Sequence, residues 1–119
     1  MSTTPTLLQI QNKIRKFNKD RDWGQYHSPR NIAMALNVEA GELLELFLWA
    51  SDEGPQPPVI GRQKQVEDEV ADVLICLLNF CDQMQIDPLQ VTSRKIRENN
   101  LKYPVDKSLG RLEKHNELD

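Results

Sequence analysis

From Ile32 to Ala50, 14 of 19 residues are apolar, and Ala33, Leu36, Ala40, Leu43, Phe47 and Ala50 recur at alternating spacings of three and four. The spacing predicts a helix. Such a helix has no polar face to offer water, so it must be buried nearly all round. A chain of 119 residues forms one domain with one modest core. The few helices it can build could hardly enclose this one, which points to a second copy of the chain as the cover: an obligate homo-oligomer.

Three further helices flank it. Leu7, Ile10, Ile14 and Phe17 recur at helical spacing and predict a first helix over about 6–20. A loop through Trp23, Gly24, Tyr26 and His27 leads to Ser28-Pro29, a cap followed by proline, which opens the apolar helix and carries it to about Ser51. Asp52 to Pro58 holds three prolines and a glycine and is read as a loop. A third helix follows over about 62–84, with Val66, Val70, Val73, Leu77, Phe80 and Met84 as its apolar seam. Asp87-Pro88 repeats the cap signal and opens a fourth, reaching about Asn100. No segment alternates like a strand, so the fold class is all-α, a four-helix bundle completed by homo-oligomerisation. The expectation is a single domain over 1–119, ordered over about 5–105, with a mobile polar tail over 106–119.

Charge is uneven along this frame. Residues 31–93 carry 11 acidic and 2 basic side chains, while the flanks carry 13 basic and 7 acidic. An acidic middle suits a cation held among carboxylates and argues against a nucleic-acid binder, whose basic groups would dominate a surface. Cys76 and Cys81 are five apart in one helix, so they cannot bridge within it, and they match no zinc spacing. The start of the chain lacks a signal-peptide pattern, and the apolar run Val73–Leu78 is too short to cross a membrane. The expectation is a cytoplasmic protein with neither nucleic acid nor membrane as partner.

Glu39, Glu42 and Glu45 are set into the apolar helix at intervals of three, and Glu69 and Asp72 repeat that interval in the third helix. Residues three apart share a helix face. If the two helices pack antiparallel, Glu39, Glu42, Glu69 and Asp72 can converge. Four carboxylates in a partly apolar setting resist ionising unless a cation lies between them. Oxygen ligands select Mg²⁺ or Mn²⁺, and Mg²⁺ binds best when phosphate completes its shell, so the ligand read from the residues is a metal-bound phosphate ester. Glu45 is open between a rim ligand and a surface residue. A di-iron bundle needs two Glu-x-x-His motifs, and neither His27 nor His115 lies in one.

Glu39-x-x-Glu42, 26 intervening residues, then Glu69-x-x-Asp72 resembles the signature of the MazG-like all-α nucleoside triphosphate pyrophosphohydrolases. Arg21-Asp22-Trp23, His27-x-Pro29-Arg30-Asn31, Glu39-x-Gly41-Glu42-Leu43-x-Glu45-Leu46-Phe47-x-Trp49, Asp72-Val73-Leu74 and Tyr103-Pro104 resemble the dCTP pyrophosphatase branch in particular. The resemblance covers about 5–105 and implies a Mg²⁺-dependent homotetramer, a dimer of dimers. Its implied activity is hydrolysis of dNTPs, dCTP and modified dCTP preferred, to monophosphate and pyrophosphate, keeping the nucleotide pool clean.

Carried over, it makes Glu39, Glu42, Glu69 and Asp72 the metal ligands and Trp23, His27 and Trp49 nucleoside contacts. Lys95 and Asn99 match positions that touch phosphate or sugar, and Lys102 extends their stripe to Tyr103. From the residues alone, Trp49 is open between pocket and core, and the Lys95 stripe between substrate and solvent. Ile14 and Cys76 stand where animal members carry histidine and tyrosine, so they bear on base selectivity rather than on metal chemistry. Glu39 or Glu42 is the candidate base for a water attacking the α-phosphorus. The competing readings are a dUTP or broad-specificity pyrophosphatase and, in another class, a non-catalytic helical adaptor.

Overall fold

The computed structural model describes residues 3–48 and 61–118. Two compact units divide the chain, Met1–Gln85 and Ile86–Asp119.

Three helices form the first unit. Helix α1 spans Leu7–Asp20 and opens on a capping box: the Gln9 amide donates to Thr6 Oγ1 at 3.2 Å, and the Thr6 amide donates to Gln9 Oε1 at 2.8 Å. It ends where Asp22 turns into the left-handed region at φ 53°, a conformation that Asp tolerates, and a 3₁₀ turn follows over Trp23–Tyr26. Helix α2 spans Pro29–Glu45, with Ser28 Oγ accepting the Asn31 amide at 3.1 Å and Pro29 in the first turn. Its last turn tightens to i→i+3 bonds, Phe47 to Leu44 at 2.9 Å and Leu48 to Glu45 at 3.3 Å. The α-helix therefore stops six residues before the expected Ser51; Trp49, Ala50 and Ser51 lie outside the described residues. Helix α3 spans Gln63–Gln83.

Pairwise contacts fix the helix directions. Arg15 meets Asp82 and Asn18 meets Asn79, so α1 runs antiparallel to α3. His27, just before α2, meets Asn79 near the end of α3, while Glu39 lies beside Asp72 nearer its start; α2 is antiparallel to α3 as well.

The seam between α2 and α3 differs from the one expected. Ile32 is buried, and Leu36, Glu39, Leu43, Val66, Glu69, Val73, Cys76 and Phe80 are half-buried, whereas Ala33, Ala40, Val70, Leu77 and Met84 are exposed. A helix apolar nearly all round offers more than one register of threes and fours, and spacing alone cannot choose among them. The register adopted puts Glu39 and Glu69 on the covered stripe. Met34, Val38, Leu44 and Leu48 of the α2 segment remain 54–64% exposed. No described helix is long and apolar enough to cross a membrane.

In the second unit α4 spans Pro88–Lys102, capped by Asp87 Oδ1, which accepts the Leu89 and Gln90 amides at 3.0 and 3.1 Å. The tail carries a one-turn helix α5, Val105–Ser108, and a 3₁₀ turn over His115–Glu117.

Candidate active site

Ligand oxygens of Glu39, Glu69 and Asp72 lie within 4.8 Å of one another, one residue from α2 and two from α3. Glu39 Oε2 and Glu69 Oε2 are shut off from solvent and have no hydrogen-bond partner. Burial raises the Glu39 carboxyl above the usual carboxylate range, as do a hydrogen bond with Glu42 and the charges of Glu42, Asp72 and Glu69. Glu69 is raised too, first by burial and then by Glu42. Glu42 thus stands beside the converging three, close enough to raise both Glu39 and Glu69. Glu45 is exposed at the end of α2.

Two orphaned buried oxygens among mutually repelling acids are what a divalent cation would satisfy. An all-oxygen donor set fits Mg²⁺ or Mn²⁺ and excludes a thiolate-type zinc site. Cys76, one turn beyond Asp72, is not among the converging ligands, and burial, then the charges of Glu39 and Asp72, pushes its thiol up.

Cys76 also belongs to a second feature, a cavity of about 570 Å³ between α1, the 3₁₀ turn and α3. Its apolar wall includes Ile10, Ile14, Phe17, Leu74 and Ile75, with Trp23 and His27 at one side. The indole of Trp23 packs edge-on against Phe17 at 5.4 Å between centroids and against His27 at 6.4 Å. Left-handed Asp22 sets the direction of that turn, and Gln25 Nε2 holds it by donating to the Asp22 carbonyl at 3.0 Å. The Arg21 guanidinium stacks on the Phe17 ring, 3.6 Å from its centroid.

The structure therefore brings Glu39, Glu69 and Asp72 together, with Glu42 beside them rather than among them, and sets Trp23 and His27 in one cavity wall with Ile14 and Cys76. Trp49 lies outside the described residues. Lys95, Asn99, Lys102 and Tyr103 belong to the second unit, where Lys95 pairs with Glu98 at 3.7 Å, the Asn99 carbonyl accepts the Tyr103 amide at 2.8 Å, and Tyr103 packs edge-on against His115 at 5.9 Å. Sequence reasoning missed Asn18 and Asn79, both of which line the cavity. The available signal was Asn79 itself, an amide within the run Val73–Phe80 and seven residues beyond Asp72 on the same face.

Among the described residues, an all-helical fold thus carries an acidic cluster fit for a metal alongside an aromatic-walled cavity. The MazG-like family matches residues 34–118, and the chain belongs to that family. It is 38% identical over 120 residues to human dCTP pyrophosphatase 1 and 37% identical over 119 residues to the bovine protein, covering 98% of this chain and 70% of each relative. Its fold superposes on a pyrophosphatase from Archaeoglobus fulgidus with a TM-score of 0.77 at 37% identity, covering 87% of this chain and 97% of that one.

Proposed function

We infer that the chain is a Mg²⁺-dependent nucleoside triphosphate pyrophosphohydrolase. It converts dNTPs, dCTP or modified dCTP ahead of the others, to monophosphate and pyrophosphate and so cleans the nucleotide pool of the cytoplasm. The observation that carries this reading is one face of α3. Asp72, Cys76 and Asn79 follow one another at i, i+4 and i+7, so Asp72 of the acid cluster and Asn79 of the cavity lie about 10 Å apart along a single helix. A triphosphate at the acids and a base in the cavity would occupy the two ends of that face.

Glu39, Glu69 and Asp72 would hold the cation, which when bound neutralises charge on the phosphates. Trp23 and His27 orient the nucleoside and exclude water from the base. Glu42, beside the three ligands, accepts the proton of the attacking water as its oxygen bonds to the α-phosphorus and the bond to the β-phosphate oxygen breaks. The substrate-binding roles of Lys95, Asn99, Lys102, Tyr103 and Trp49 rest on the family resemblance alone. The exposed α2 side chains Met34, Val38, Leu44 and Leu48 support a homo-oligomer, a dimer or a dimer of dimers, in which a second copy covers them.

The test is product analysis by ion-exchange chromatography after incubation with each dNTP, with and without Mg²⁺. Monophosphate and pyrophosphate in equal amounts, formed only with Mg²⁺ and fastest from dCTP, is the expected result, with Glu42→Gln inactive. No cleavage of any nucleotide would refute the reading and favour the helical adaptor. Sedimentation of a monomer at micromolar concentration would refute the oligomer.

A further inference from the structure

Asn79 is buried, at 8% exposure, yet it lines the apolar cavity. Two partners fix its amide: Asn18 Nδ2 donates to Asn79 Oδ1 at 3.4 Å, and Asn79 Nδ2 lies 3.2 Å from His27 Nδ1. With Oδ1 accepting from Asn18, Nδ2 is the atom turned to His27, whose Nδ1 then accepts. A side-chain amide has two acceptor and two donor positions, so one of each remains free. The same three residues, Asn18, His27 and Asn79, also line a second, polar cavity of about 310 Å³ together with Arg15, Lys19 and Asp82. They form a polar partition behind an otherwise largely apolar cavity.

We propose that Asn79, held by Asn18 and His27, is the specificity-determining residue that reads the edge of the base, and that it selects a 4-aminopyrimidine over a 4-oxopyrimidine. The inference rests on the nucleotide reading above and extends it to a group outside the motifs of the resemblance. The free acceptor of Oδ1 meets the exocyclic amine, and the free donor of Nδ2 meets the adjacent ring nitrogen. A 4-oxo base reverses both positions and sets acceptor against acceptor and donor against donor. Turning the amide to suit it requires Asn18 to turn with it and His27 to take its other tautomer. Discrimination by one such bidentate pair is about tenfold to a hundredfold.

The test separates base reading from turnover. Calorimetric titration of the whole chain in EDTA with dCMP, dUMP and dTMP measures the cavity without metal or reaction, and kcat/KM for dCTP against dUTP is measured in parallel with Mg²⁺. The expected result is a dCMP preference of tenfold or more over dUMP and dTMP in the wild type, falling to within about threefold in Asn79→Ala. Asn18→Ala, at a half-buried position, keeps Asn79 but releases its amide, and the preference should fall there as well. A wild type that binds dCMP and dUMP equally, or variants that fold and keep the wild-type ratio, would overturn the proposal. Absence of turnover alongside intact dCMP preference would refute the hydrolase reading and leave the base-reading role standing.

Discussion

In the metal-free protein, Glu39→Gln should stabilise the fold. Glu39 faces the carboxylates of Glu69 and Asp72 within 4.8 Å, and at that separation two unit charges repel by about 0.9 kcal/mol in a water-like dielectric. Two such neighbours give about 2 kcal/mol, and because Asp72 is exposed and the two glutamates are only half-buried we halve this to about 1 kcal/mol. The pH dependence has a definite sign. Because burial and the neighbouring acids raise the Glu39 carboxyl, the native state holds a proton that the unfolded chain has already released. Native stability therefore falls as pH climbs from the usual carboxylate range through the raised one, and the variant lacks this part of the fall. Urea unfolding in EDTA at fixed protein concentration should show the gain at about pH 8 and little of it at about pH 4. Mg²⁺ should reverse the order: at 100 times its dissociation constant it stabilises the wild type by about 2.7 kcal/mol and the variant by less. Equal responses of the two proteins to Mg²⁺, or a variant no more stable than wild type in EDTA at high pH, would refute the charge-cluster argument.

Gly41 lies inside α2, and a methyl group added there meets nothing within 4 Å of its own chain. Gly41→Ala should therefore raise stability by about 1 kcal/mol in urea unfolding; a loss would mean that a second copy packs against that surface. Ser28→Ala removes the acceptor for the Asn31 amide at the start of α2 and should lower stability by about 1 kcal/mol, read as a lower thermal midpoint. Arg15 meets Asp82 at 2.6 and 2.7 Å with both side chains partly exposed, so Arg15→Met should destabilise by about 0.5 kcal/mol, an effect that vanishes in 1 M salt.

Helix starts were legible because their chemistry is local. Thr6, Ser28 and Asp87 each sit where a side-chain oxygen can accept an amide of the first turn, and proline follows two of the three. The end of α2 was not legible, since the residues after Glu45 are as apolar and helix-forming as those before it. The pairing of Glu39 with Glu69 and Asp72 followed from intervals of three on two helices, but their depth did not. With so many apolar positions on α2, the sequence is compatible with several seams, and only tertiary packing selects the one that covers two acids. Asn18 escaped because a single amide on the amphipathic α1 looks like any surface polar group until Asn79 is placed opposite it.

Ile14 and Cys76 both line the cavity. They offer an aliphatic chain and a thiol that burial pushes up, so neither is suited to read a base edge. Among the described residues, the other polar groups lining the cavity are Lys13, the indole N–H of Trp23, and the linked set of Asn18, His27 and Asn79. A lysine is a mobile point charge with donors only, and the indole is a single donor; only an amide presents a donor and an acceptor side by side in a fixed plane. On the proposed reading, a cytosine preference would come from α1 and the middle of α3, where Asn18 and Asn79 stand. The acid cluster at the other end of the same α3 face can stay unchanged while the base-reading end is rebuilt.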